Sequence, residues 1–85
     1  MQTEELVMAI KEAISDIAGI DCDNIKESDS YVDDLGLDSL GIIEVVVELQ
    51  RRFKVRNLPE ERLQQIRTIG DTASLLQEYV LASVV

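Results

Sequence analysis

Residues 38–53 read Asp-Ser-Leu-Gly-Ile-Ile-Glu-Val-Val-Val-Glu-Leu-Gln-Arg-Arg-Phe, and the choice between helix and strand here decides the fold. Ile42, Ile43, Val45, Val46 and Val47 are β-branched and favour a strand. Glu44 and Glu48, however, interrupt the run four residues apart, which is a helical spacing. Leu40, Ile43 and Val47 form one apolar stripe, and Ile42, Val46, Leu49 and Phe53 form a neighbouring one. Together they are broader than the face a surface helix normally buries. Asp38 is a good N-cap, so the segment predicts a helix over 39–53.

Working outward, residues 19–38 show no sustained period and are rich in Asp, Ser and Gly, hence a loop. Roughly 20 residues of loop in a compact domain need a job or an anchor. Ile20, Ile25, Tyr31, Val32, Leu35 and Leu37 are the residues expected to pin it to the core. Upstream, Leu6, Ile10, Ile14 and Ile17 recur at helical spacing, with Ala13 and Ala18 beside them. Thr3 is a candidate cap, Glu4 and Glu5 suit the positive end of a helix dipole, and Gly19 is a stop. The first helix is expected over 3–18.

Downstream, Pro59 followed by Glu60 and Glu61 reads as a helix start with Pro at the first position, and Leu63 and Ile66 face inward. That gives a short helix over 60–66. Thr68-Ile69-Gly70-Asp71 has the shape of a capping box with Asp in the Glu role. Leu75, Leu76, Tyr79 and Val80 continue a last helix over 69–81. The expected fold is all-α: a four-helix bundle of three longer helices and one short one, with a long loop between helices one and two. It forms a single domain over 1–85.

With 85 residues, the chain can bury one modest core, and 46 % hydrophobic residues suffice to build it. Aromatics are 4 % and Trp is absent, which argues against a stacking platform for single-stranded nucleic acid. The net charge of −9 argues against phosphate-backbone binding. No His is present, which removes the usual general base and the commonest metal ligand. Cys22 is the only cysteine, fits a reducing compartment, and reads as a small loop residue. The start at Met1 lacks a basic, apolar leader, and no apolar run is long enough to span a membrane. A free-standing cytoplasmic monomer that binds no membrane and no nucleic acid is expected.

Charge is unevenly placed. Residues 1–50 hold 13 carboxylates against Lys11 and Lys26, whereas 51–85 hold 4 against Arg51, Arg52, Lys54, Arg56, Arg62 and Arg67. Different surfaces are therefore expected to meet different partners. The acidic loop invites a calcium reading through Asp21, Asp23, Glu27, Asp29 and Asp33. An EF-hand register from Asp21 places Lys26 and Val32 where Gly and Glu are needed, so no metal site is assigned.

The chemistry concentrates in Asp33-Asp34-Leu35-Gly36-Leu37-Asp38-Ser39-Leu40. Gly36 permits a tight turn, Asp38 opens the second helix, and Ser39 falls in its first turn with its hydroxyl toward water. Ser39 alone is also an ordinary helix-start residue. Without His it has no base for nucleophilic catalysis, so any reaction at Ser39 needs activation by another protein. No catalytic residues are assigned, and the chain is not expected to be an enzyme.

Leu35-Gly36-Leu37-Asp38-Ser39-Leu40, with Glu44 following, resembles the phosphopantetheine attachment region of acyl carrier proteins. Ser30-Tyr31-Val32-Asp33-Asp34 resembles the family's approach to that motif. Phe53, Leu58-Pro59-Glu60-Glu61 and Ile66-Arg67-Thr68-Ile69 resemble its third-helix region, so the likeness covers about residues 3–81. The resemblance implies a phosphopantetheine arm, transferred from coenzyme A to Ser39 by a phosphopantetheinyl transferase. It implies acyl cargo held as a thioester and presented to enzymes of fatty-acid, polyketide or related lipid biosynthesis. It assigns Asp38 a supporting role in attachment, and Leu40, Ile43, Glu44 and Val47 a docking role. Read from the residues alone, Ile43 and Val47 are equally well core, Asp38 is an N-cap, and Glu44 and Glu48 are a solvated face with Glu48 paired to Arg52.

The chain departs from the family pattern at Gly41, at Gln50-Arg51-Arg52 and at Arg56-Asn57. The sign reversal over 50–56 points to a dedicated pathway, since the basic patches that fatty-acid synthase enzymes offer would be repelled there. Two alternatives stand beside the acyl carrier: an aminoacyl or peptidyl carrier loaded by an adenylating ligase, and a non-covalent helical adaptor.

Overall fold

A computed structural model describes residues 3–55 and 58–84. The chain forms α1 (Thr3–Ala18), a 3-10 turn (Cys22–Asn24), α2 (Ser39–Phe53), α3 (Glu60–Leu63) and α4 (Ile69–Val84). It is a small helical bundle with a Cα radius of gyration of 11.8 Å. Among the described residues there is no strand, only an isolated antiparallel bridge between Ser30 and Thr68.

The core is where the sequence stripes meet. Leu6, Ile10, Ala13 and Ile14 of α1 are buried with Val45, Val46 and Leu49 of α2 and with Ile69, Ala73, Leu75 and Leu76 of α4. Both α2 and α4 pack on α1. Ile17, the last residue of the α1 stripe, is instead 36 % exposed. It lies just before the helix ends at Ala18 and the chain turns away through Gly19, whose φ is +73°. The Thr3 cap and the Val80 contact expected from the sequence lie outside the described side chains, and Arg56 and Asn57 lie outside the described residues.

The short helix ends earlier than its pattern predicts. After Leu63 the amides of Gln65 and Ile66 donate to the carbonyls three residues back, Arg62 and Leu63, so the winding tightens before the chain straightens. Ile66 is still buried. Pro59 precedes the first helical residue, with ψ of 132°. At α4 the capping box forms in full: the Thr68 amide donates to Asp71 Oδ2 at 3.1 Å, and the Asp71 amide donates to Thr68 Oγ1 at 3.1 Å. The helix then continues to Val84, beyond the expected 81.

The long loop is anchored by main chain as well as by apolar side chains. The amides of Ile69 and Gly70, the first two of α4, donate to the carbonyls of Asp29 and Glu27 at 3.2 and 2.9 Å. Helix-start amides have no partner within their own helix, so the loop supplies one. Tyr31 donates its amide to the Arg67 carbonyl at 3.1 Å and places a fully buried ring in the core. Ile25 is buried too, while Ile20, Leu35 and Leu37 pack at its edge. Val32 does not: it is 60 % exposed, because Tyr31 takes the inward position and the turn that follows directs Val32 outward.

Candidate functional site

The loop's anchors fix the start of α2. Four hydrogen bonds fold residues 30–35 into a closed turn. The Ser30 amide donates to Asp34 Oδ2 at 2.7 Å, Asp33 donates to Ser30 Oγ at 3.1 Å, and Asp34 and Leu35 donate to the Ser30 carbonyl. Gly36 then takes a left-handed conformation, φ +69°, which costs a glycine little. The Leu37 amide donates to the Tyr31 carbonyl at 2.8 Å, so the residue before the cap is tied to the one most firmly buried in the loop.

Asp38 is extended, at φ −94° and ψ −177°, and its Oδ1 accepts from the Gly41 amide at 2.8 Å. Its carbonyl accepts from Ile42 and begins the helix. Gly41 has a local reason: a Cβ there would meet Leu37 Cδ2 at 3.3 Å and the capping Asp38 Oδ1 at 3.4 Å. Ser39 is the first residue of α2 and is exposed. Its hydroxyl therefore sits in the open, at the positive end of a 15-residue helix. That position fits a bulky phosphate-containing substituent, since helix starts favour negative charge. The carboxylate of Asp38 opposes this with like charge.

Two stripes were legible along α2, and the structure assigns them different fates. Val46 and Leu49, together with Val45, go inward. Leu40, Ile43 and Val47 are 64, 51 and 55 % exposed, and Glu44 is exposed beside them. Ile43 and Val47 are thus surface residues, not core. At 3.6 residues per turn these side chains follow Ser39 along one face of the helix.

The far end of α2 carries ion pairs. Arg51 bonds Glu48 through both carboxylate oxygens. Arg52 reaches Glu48 at 3.7 Å, as the spacing predicts, and also Asp16 at 3.0 Å and Glu12 at 3.5 Å on α1. The Arg51 hydrogen bond is the main reason the Glu48 carboxyl lies below its ordinary range. The α1–α2 ion pairs of Arg52 were not visible in the sequence, where Glu12 and Asp16 are distant.

The loop carboxylates also have structural partners. Asp21 Oδ1 accepts from the Asp23 amide at 3.0 Å, and Asp29 Oδ2 accepts from the Lys26 amide at 2.8 Å. Among the described residues, no three His, Cys, Asp or Glu side chains are grouped to hold a metal ion.

A family model described as the phosphopantetheine attachment site matches residues 9–76. The chain belongs to the phosphopantetheine-binding acyl carrier protein family. The meromycolate extension acyl carrier protein of Mycobacterium tuberculosis is 36 % identical over 75 residues, covering 88 % of this chain and 64 % of that one. The chain thus spans somewhat less than two thirds of these mycobacterial relatives. An acyl carrier protein of Acidothermus cellulolyticus is 33 % identical over 76 residues, covering 89 % of both. Among solved structures, one assigned as an acyl carrier protein of Mycobacterium tuberculosis superposes with a TM-score of 0.77 at 31 % identity, over 92 % of this carrier and 99 % of that chain. The apo doublet acyl carrier protein from prodigiosin biosynthesis gives 0.72 at 27 % identity, over 91 % and 38 %. The family's prosthetic group is a covalently held phosphopantetheine, and its defining region contains the loop and α2 start described above.

Proposed function

We propose that this protein carries acyl intermediates of lipid or related biosynthesis on a phosphopantetheine attached to Ser39. One observation bears most of the weight: an exposed hydroxyl on the first residue of α2, held by a rigid cap and a pinned loop. A transferase that brings a bulky donor needs a convex, accessible target, and Ser39 offers one. When attached, the group supplies a terminal thiol for thioester linkage. The chain's own residues do no bond-making. Asp38 holds the helix start in place and presents a carboxylate to the transferase and its metal. Leu40, Ile43 and Val47 offer apolar anchors to each enzyme in turn, with Glu44 as a charged marker.

The relatives named for acyl carriage and for meromycolate extension support acyl cargo over aminoacyl cargo. Among the described residues no helix is long and apolar enough to cross a membrane. The proposed setting is a monomer in the cytoplasm, serving a dedicated pathway, with a phosphopantetheinyl transferase and acyl-transferring or ligase enzymes as partners. Incubation with coenzyme A, magnesium and a promiscuous transferase, followed by intact mass measurement, tests the proposal. The natural chain gains one phosphopantetheine and Ser39→Ala gains none. An unchanged mass for the natural chain removes the carrier reading and leaves the non-covalent adaptor.

A further inference from the structure

The exposed face of α2 changes character along its length. Leu40, Ile43, Val47 and Arg51 fall within a stripe about 80° wide at 3.6 residues per turn. The first three are apolar and solvent-facing, and the Arg51 side chain is 78 % exposed. Val47, Gln50, Arg51, Lys54 and Val55 then line one shallow surface depression. Its lining combines two valines with two cations, in a chain whose net charge is −9. Arg51 is paired with Glu48, and Arg52 with Glu48, Asp16 and Glu12. Lys54 makes no ion pair among the described residues.

Lys54 is also the one non-glycine residue, among those described, with a left-handed backbone, φ 57° and ψ 36°. It occupies the helix C-terminal position where glycine is the least strained choice. The helix thus ends on a cation at some cost in backbone strain.

We infer that this end of α2 docks a protein partner whose surface presents an apolar side chain ringed by carboxylates. The inference rests on reading the exposed α2 face as a docking face. It adds that the complementary surface is acidic about 22 Å from the Ser39 end, at 1.5 Å per residue. An apolar contact at Val47 supplies affinity, and the Arg51 and Lys54 charges set orientation and exclude partners with a basic rim.

The test uses the full natural chain and two synthetic helical peptides. Both carry the same Leu and Phe stripe, bordered by Glu in one and by Lys in the other. Amide NMR signals are followed during titration at low ionic strength. The Glu-bordered peptide is expected to shift the signals of residues 47–55, despite the chain's overall negative charge. That binding weakens as salt rises from about 0.02 to about 0.5 M. Arg51→Gln and Lys54→Gln each weaken it by about threefold. Lys54→Gly is the control against misfolding: it raises the melting temperature by relieving the left-handed strain, yet still weakens the peptide. Absence of shifts at 47–55, equal response to both peptides, or unchanged affinity in Lys54→Gly overturns the inference. So does concentration-dependent shifting of the same signals without peptide, which marks a second copy as the occupant. None of these readouts depends on loading of Ser39, so a failure here is distinct from a failure of the carrier reading.

Discussion

Tyr31 and Thr72 share a buried hydrogen bond of 2.6 Å between their hydroxyls, joining the middle of the long loop to the first turns of α4. Among the described residues, Thr72 is the one buried polar residue and Tyr31 the largest fully buried side chain. Because the Leu37 amide is bonded to the Tyr31 carbonyl, this contact also holds the approach to Ser39. Tyr31→Phe is expected to destabilise the fold by about 1–2 kcal/mol, the usual cost of losing one partner of a buried hydroxyl pair. For a domain of this size, each 1 kcal/mol lowers the melting temperature by about 4–8 °C. Thr72→Val is expected to cost a similar amount, and the double variant less than the sum. Additive effects in a thermal double-mutant cycle contradict the pairing.

The same ring sets an alkaline limit. Burial is the main cause that pushes the Tyr31 phenol from 10.0 to about 12, with the Asp71 charge adding to it and the Thr72 hydrogen bond opposing. The folded state thus favours the neutral phenol. Its stabilisation is complete below pH 10 and is lost as pH rises through about 12. This preference corresponds to about 3 kcal/mol. Urea melts between pH 9 and 12 check this against Tyr31→Phe, which lacks the ionising group. The natural chain's advantage over that variant is expected to shrink across the window. A constant difference contradicts it.

Asp38 caps α2, and substitution separates this from its proposed role in attachment. Asp38→Ala removes the acceptor for the Gly41 amide and is expected to cost about 1 kcal/mol. Asp38→Asn keeps an acceptor and most of the stability. Both remove the carboxylate, so both are expected to slow transferase loading by about tenfold, the worth of one charge-assisted contact. Loading that follows stability, with Asn like the natural chain, assigns Asp38 to capping alone.

Arg52 spans α1 and α2 through Asp16 and Glu12. Arg52→Met keeps the apolar stem and removes the charge. It is expected to lower the melting temperature at low salt, with the difference shrinking as salt is added. A deficit of the same size at high salt assigns the effect to packing.

Helix positions were legible in the sequence wherever period and cap agreed. Asp38 and the stripes of α2 gave its bounds, and Gly19 and the α1 stripe gave the bounds of α1. The Thr68–Asp71 capping box was legible because it is local. Non-local relations were not. The loop carbonyls of Glu27 and Asp29 that satisfy the start of α4 leave no mark in composition. Neither does the reach of Arg52 to α1. Ile43 and Val47 had the same chemistry as Val46 and Leu49, and only packing decided which pair faces water. A left-handed Lys54 has no sequence signal, since glycine is the residue that announces that geometry.

The proposed modification site itself offers the most direct check. The loaded protein is digested and the phosphopantetheine-bearing peptide is located by fragmentation. A single adduct is expected on Ser39, with Ser28 and Ser30 of the loop unmodified. An adduct on another residue, or none after exhaustive incubation, contradicts the assignment of the α2 start as the point of attachment.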